Sequence, residues 1–283
     1  MIRHPSGSET FRVRGLWPWI IVLGILLYAF SDFYAASQHR AWYADGSHFF
    51  RQILSLEKSI IFESRAFAKI VREWPMVVAI KCGVSDITVL SYFFSIPHVL
   101  QFWLSVLLCL WVLKKENRRY LLFPLLSLFA GSMNGSFEIM SEAHFMVSLF
   151  WPLLFFIIIP ERLSYPQLFV FLILAFLSLR AYESMLFLGL VLAGAALWRG
   201  LTFTKAPLIR IGWTLVAIWF LAGSVTAVFW VRRRAIEADP NFTHFLGSIS
   251  AFICNPFDPE FHHMLALSTL AFSLILVAFF RSK

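Results

Sequence analysis

The residues best suited to chemistry stand in short polar intervals between long apolar runs. The first interval is Ser132-Met133-Asn134-Gly135-Ser136-Phe137-Glu138-Ile139-Met140-Ser141-Glu142-Ala143-His144, which holds two carboxylates and an imidazole. On a helix Glu138 and Glu142 share one face at i, i+4, a like-charge pair that a cation, an arginine or a proton would relieve. A carboxylate costs roughly 2.5–3.5 kcal/mol at the centre of a membrane helix, so both belong at a helix end or against a wet cavity. The second is Tyr43-Ala44-Asp45-Gly46-Ser47-His48. Asp45 is placed either to take a proton as a general base or to cap the helix that follows. In the third, Arg180-Ala181-Tyr182-Glu183, Arg180 either neutralises Glu183 at i, i+3 or binds a lipid phosphate while Glu183 orders the site. The fourth is Arg232-Arg233-Arg234, which on the outer side either marks a misplaced span or holds phosphate in its planar forks.

Several familiar chemistries lack their residues. There is no Gly-x-Ser-x-Gly elbow, no phosphate-binding loop of the Walker type, no His-Glu-x-x-His and no dinucleotide fingerprint. No second ligand motif of zinc type accompanies Glu138, Glu142 and His144, so no structural metal is expected. A divalent ion between the two glutamates is the one metal the sequence leaves open, and no other cofactor is implied. Cys82, Cys109 and Cys254 show no metal-ligand or redox spacing.

The elements that must position these groups are hydrophobic helices. The 283 residues are 59% hydrophobic and 14% charged, with a mean hydropathy of +0.75, far more apolar than a water-soluble globular protein. The expectation is an all-α, polytopic membrane protein forming a single membrane domain over residues 1–283. The net charge of +8 reads as topology, and no motif supports nucleic-acid binding.

About eight spans are expected. Arg3, Arg12 and Arg14 hold a tail over residues 1–15 in the cytoplasm, ahead of a retained first span at 16–31. Residues 35–88 are too charged to cross and fit amphipathic helices at the outer interface. There Phe67, Ile70, Val71 and Trp74 form an apolar stripe, and Arg65, Lys69 and Arg72 lie near headgroups. Pro75 is expected to end the second of these helices. Further spans follow at 89–113, 120–132, 145–159, 167–179, 185–198, 211–231 and 264–280. The basic run Lys114-Lys115-Glu116-Asn117-Arg118-Arg119 fixes the orientation, 231–263 is an outer loop, and both termini are cytoplasmic. On this topology the inner side keeps only Glu9, Glu116 and Glu161 of sixteen acidic residues, and only His4 and His98 of eight histidines. Carboxylates are weak topology signals, so the asymmetry points either to chemistry at the outer face or to longer outer loops collecting polar residues.

An early acid in a long outer segment, surface helices and then short hairpin-like spans make a layout, over about residues 1–230, that resembles the membrane module of GT-C type glycosyltransferases. The resemblance implies a polyprenyl-phosphate-linked sugar as donor, membrane lipid as surroundings and the bacterial inner membrane as location. It matches Asp45 to the family's catalytic acid in the first outer loop, and Glu142, Arg180 and Arg232 loosely to acidic and arginine residues at outer helix ends. On it Asp45 takes the acceptor proton, Glu142 with His144 orients sugar or acceptor, and Arg180 or Arg232, Arg233 and Arg234 hold the leaving phosphate. Glu138, Tyr182 and Glu183 complete the substrate contacts. The rival from another class is a non-catalytic component of lipid or polysaccharide export or assembly, with a protein partner. It would bind through the same outer acids and arginines.

Overall fold

The computed structural model describes residues 17–39, 44–59, 65–132, 143–203 and 206–238, and every regular element among them is helical. In chain order these are α1 (Trp17–Ser37), α2 (Ala44–Leu56), α3 (Ala66–Lys81), α4 (Ile87–Val112), a 3₁₀ turn (Lys115–Leu121), α5 (Leu122–Ser132), α6 (Ala143–Ile158), α7 (Tyr165–Ser178), α8 (Met185–Thr202) and α9 (Pro207–Ala238). The chain divides into two compact units, Met1–Ala227 and Val228–Lys283. The described part of the second is residues 228–238.

Local sequence explains where the helices begin. The Asp86 carboxylate accepts from the Thr88 and Val89 backbone N–H groups at 2.7 and 3.1 Å, capping α4. At α7 the Gln167 side-chain oxygen reaches back to the Ser164 N–H at 3.0 Å. Three helices, α4, α8 and α9 as far as Arg233, are long and apolar enough to cross a membrane. Three of the other expected spans come out shorter: α5 has 11 residues, α6 16 and α7 14, each less than the roughly 20 that a straight crossing needs. Eight full crossings are therefore not shown, and the expected span at 264–280 lies outside the described residues, as does Cys254.

Two further expectations are corrected. Pro75 lies inside α3 and does not end it. A proline removes one backbone donor, and membrane-type helices tolerate this where neighbouring helices support the turn; Pro97 and Pro152 sit likewise within α4 and α6. Nor do the three arginines at 232–234 open a polar loop. They continue α9, which runs to Ala238, because arginine is a good helix former and no breaker follows until Pro240.

The main core lies where α4, α6 and α8 pack together, with Phe102, Met146, Leu153, Phe156, Leu192 and Phe220 among its buried side chains. Outward, large apolar side chains are exposed along every long helix, for example Leu104 and Leu107 on α4, Phe187 and Leu190 on α8, and Leu215 and Val225 on α9. Exposed apolar surface on this scale suits lipid, not water. Arg199, buried near the end of α8, donates to the carbonyls of Pro160 and Glu161, the latter at 2.9 Å, so it ties the α6–α7 turn to α8.

Helices α8 and α9 meet through small residues. A side chain on Gly189 would clash with Ser224 Oγ and meet the Phe220 carbonyl at 3.0 Å, whereas Gly194 on the same helix has nothing within 4 Å. Ser224 Oγ bonds across to the Met185 carbonyl at 3.1 Å. Close approach of this kind is how helices gain contact where both faces are apolar. Gly189→Val is expected to lower unfolding stability in detergent by about 1–3 kcal/mol. Gly194→Ala should leave it unchanged or raise it by up to about 1 kcal/mol, the usual helix gain of alanine over glycine.

Candidate functional site: a charged cavity between α2, α3 and α4

Helix α3 carries its charge on the inside. Lys69, Arg72 and Glu73 are 1%, 2% and 4% exposed, while Ile70, Val71 and Trp74 are 41%, 41% and 63% exposed. The apolar stripe seen in the sequence is real and Ile70, Val71 and Trp74 face outward, but Lys69 and Arg72, expected at headgroups, face the protein. The physical reason is the solvent: beside lipid, apolar side chains gain nothing by turning inward, and charged ones lose least against other polar groups.

The inward face of α3 borders a small, partly open cavity with room for about one water molecule. Its wall is formed by Phe49 of α2, by Ala68, Lys69, Arg72 and Glu73 of α3, and by Phe94 and His98 of α4. A small apolar cluster of Phe50, Ile53, Met76, Val77, Leu90 and Phe94 holds the three helices together beside it. Lys69 Nζ lies 2.6 Å from Glu73 Oε1, one helical turn on, and 3.2 Å from the centroid of the Phe49 ring. The other Glu73 oxygen accepts from the Ser59 hydroxyl. His98 Nδ1 is 3.0 Å from the Phe94 carbonyl, which can only accept, so this nitrogen carries the proton.

At its first turn α3 is fastened to the α7–α8 connection. Arg65 Nε lies 2.9 and 3.0 Å from the two carboxylate oxygens of Glu183, and its guanidinium stacks 4.6 Å from the centre of the Tyr182 ring. The Phe67 N–H donates to the Arg180 carbonyl at 3.2 Å, and the Phe67 and Phe176 rings are 4.8 Å apart. These contacts fix which way the charged face of α3 points.

The residues expected from sequence fare differently. Tyr182 and Glu183 are in place at this fastening, and the cation Glu183 meets there is Arg65, 118 positions away in the chain. The Arg180 side chain is exposed and does not line the cavity. Asp45 is the second residue of α2, so it precedes Phe49 by one helical turn; its side chain lies outside the described residues. Glu138 and Glu142 lie outside the described residues altogether, and His144 is half-buried at the start of α6. Arg232 and Arg233 are exposed in the second unit, where the Arg233 guanidinium is 5.4 Å from the centre of the Trp230 ring; the Arg234 side chain is not among those described. No group of three His, Cys, Asp or Glu side chains among the described residues is placed to hold a metal.

Lys69, Arg72, Glu73 and His98 are the functional candidates that sequence reasoning missed. The signal was present: Arg65, Lys69, Arg72 and Met76 recur at helical spacing, opposite Ile70, Val71, Trp74 and Val78. Comparison with known proteins finds no matching family model, no matching curated protein and no matching solved structure.

Removing one member of a buried ion pair strands the other, typically at a cost of about 3–5 kcal/mol, whereas removing both is far milder. Lys69→Met and Glu73→Gln alone are each expected to lower stability strongly. The double variant should recover most of the loss, and a double-mutant cycle on detergent unfolding curves measures the coupling.

Proposed function

We propose that this chain is an integral membrane protein that transfers a sugar from a polyprenyl-phosphate donor at the extracytoplasmic face of a bacterial inner membrane, with both termini in the cytoplasm. The observation that carries the reading is the place of Asp45. It stands in the first turn of α2, one turn before Phe49, and Phe49 forms part of the wall of a cation-bearing cavity. The apolar length of α4, α8 and α9 supports the membrane setting.

In this reading the acceptor hydroxyl attacks the anomeric carbon. The bond from that carbon to the phosphate oxygen breaks, and polyprenyl phosphate leaves with the electron pair. Asp45 receives the hydroxyl proton. Glu142 with His144 orients sugar or acceptor. Arg180, or alternatively the arginines at 232–234, supply the outer cation assigned to the leaving phosphate.

A non-catalytic role in lipid or polysaccharide export or assembly is the second reading, and one observation favours it. Glu73 is the carboxylate on the described cavity wall, and it is already engaged by Lys69 and Ser59, so that wall supplies donors and no ready base. Purified protein in nanodiscs, given radiolabelled polyprenyl-phosphate sugars, separates the two. Transfer that falls by about 10²–10⁴-fold in Asp45→Asn, with the unfolding midpoint unchanged, is the expected result. Full activity in Asp45→Asn removes that residue from the role, and no transfer from any such donor leaves the non-catalytic reading.

A further inference from the structure

We infer that the end of the bundle where α4, α6 and α8 finish is a docking surface for anionic phospholipid headgroups, with Lys114, Arg118, Arg162 and Arg210 as its cations. The four come from three separate connections, α4 to α5, α6 to α7 and α8 to α9. Ring contacts between the helices bring those connections to one end. The Trp111 and Phe156 rings are 6.0 Å apart, Phe156 and Phe171 6.1 Å, and Phe171 and Trp213 6.4 Å, which sets the last turns of α4 and α6 beside the first turns of α7 and α9. Arg199, near the end of α8, donates to the Pro160 and Glu161 carbonyls in the α6–α7 turn and so places α8 with them.

Charge is divided unevenly between the two ends. Residues 113–121, 159–164 and 203–210 hold seven lysines and arginines against two glutamates. The connections at the opposite end, 82–86 and 179–184, hold Arg180 against Asp86 and Glu183. Lys114, Arg118, Arg162 and Arg210 are all exposed, whereas Arg119 lies over the Tyr120 ring and Arg199 over Trp213. Large apolar side chains are exposed at the same level, among them Trp111, Trp198, Phe203 and Leu208. Tryptophan suits the boundary between headgroup and hydrocarbon. Cations interleaved with such groups fit a lipid, whose phosphate takes the charge while its acyl chains lie along the helices; a soluble acidic partner would leave the apolar groups in water. An arginine fork matches two phosphate oxygens, and an anionic headgroup, unlike a choline one, brings no cation of its own against it.

The inference uses none of the residues assigned to sugar transfer and stands whether or not the chain is an enzyme. Lysine and arginine gather on the cytoplasmic side of membrane proteins, and anionic lipid gives the cytoplasmic leaflet a negative surface, so the two signs meet there.

The test uses the full chain immobilised in an uncharged detergent and titrated with radiolabelled dioleoylphosphatidylglycerol or dioleoylphosphatidylcholine. Wild type is expected to retain the anionic lipid about fivefold or more tightly at about 0.1 M salt, and less than about twofold more tightly at about 1 M, where the Debye length is only about 3 Å. Combining Lys114→Gln, Arg118→Gln, Arg162→Gln and Arg210→Gln should abolish the preference with an unfolding midpoint close to wild type. Combining Arg51→Gln, Lys58→Gln and Lys81→Gln, which removes exposed cations of α2, the turn after it and α3, should leave the preference intact. If the fourfold variant fails to fold, hydrogen exchange on wild type decides: the anionic lipid should slow exchange in residues 113–121, 159–164 and 203–210 more than the choline lipid does. Equal affinity for the two lipids, a preference kept in the folded fourfold variant or lost in the threefold one, or no such slowing overturns the inference. Displacement of the lipid by a soluble glutamate peptide of equal charge would make the partner a protein and overturn it as well.

Discussion

The described structure around α2, α3 and α4 depends on keeping a lysine and a glutamate buried together. The side chains of Lys69 and Glu73 are 1% and 6% exposed. Taking each ion out of water costs several kcal/mol, and mutual attraction offsets this only where the remaining polar atoms are satisfied. Glu73 therefore needs Ser59 on its second oxygen, and Lys69 needs the face of Phe49. Those two requirements draw α2 and the turn after it onto α3. The Phe50, Ile53 and Met76 cluster then adds the apolar contact that makes the arrangement a packed unit.

The same requirement sets the orientation of α3 with respect to its surroundings. With charge inside, the helix presents Ile70, Val71, Trp74 and Val78 outward, a surface that is stable beside hydrocarbon and costly beside water. Helices in such a setting cannot rely on hiding apolar surface to hold together. They use close approach at Gly189 and Gly223, hydrogen bonds such as Ser224 to Met185, and inserted cations such as Arg199 at the α6–α7 turn. Arg65 and Glu183 are another instance, an ion pair in which the Arg65 Nε–H is shared between both carboxylate oxygens and which holds the start of α3 against the α7–α8 connection.

What the sequence made legible was the set of long apolar helices. Residues 89–113 and 185–198 come close to α4 and α8, because apolar runs bounded by Asp86 or by basic residues leave few alternatives. The length of α9 was not legible, since three successive arginines look like a loop and yet are good helix formers. For α3 the period and the outward apolar stripe were legible, and the inward place of Lys69 and Arg72 was not: a stripe of apolar residues says that a helix has two sides, and only the neighbouring helices say where the charged side goes. The Arg65–Glu183 pair joins positions 118 apart, and nothing local to either residue announces it. Of the acids singled out from sequence, Glu138 and Glu142 lie outside the described residues, and Asp45 is described by its backbone alone.

Stability does not account for the charges on α3. A buried ion pair replaced by apolar residues of similar size is commonly as stable or more so, by about 1–4 kcal/mol. Methionine and leucine at 69 and 73 would fill the same space beside Phe49 and Phe94 and would need neither Ser59 nor a cavity. Yet the helix carries Lys69, Arg72 and Glu73 within little more than one turn and turns all three inward, with His98 across from them. Among helices with this much exposed apolar surface, inward ionisable residues mark the place where something polar is bound or moved. The energetic burden is thus concentrated in one cavity, while the exposed arginines at 180, 232 and 233 sit where solvent or headgroups make charge cheap. That contrast makes the buried set the costlier one to keep, and leaves contact with headgroups to the exposed one.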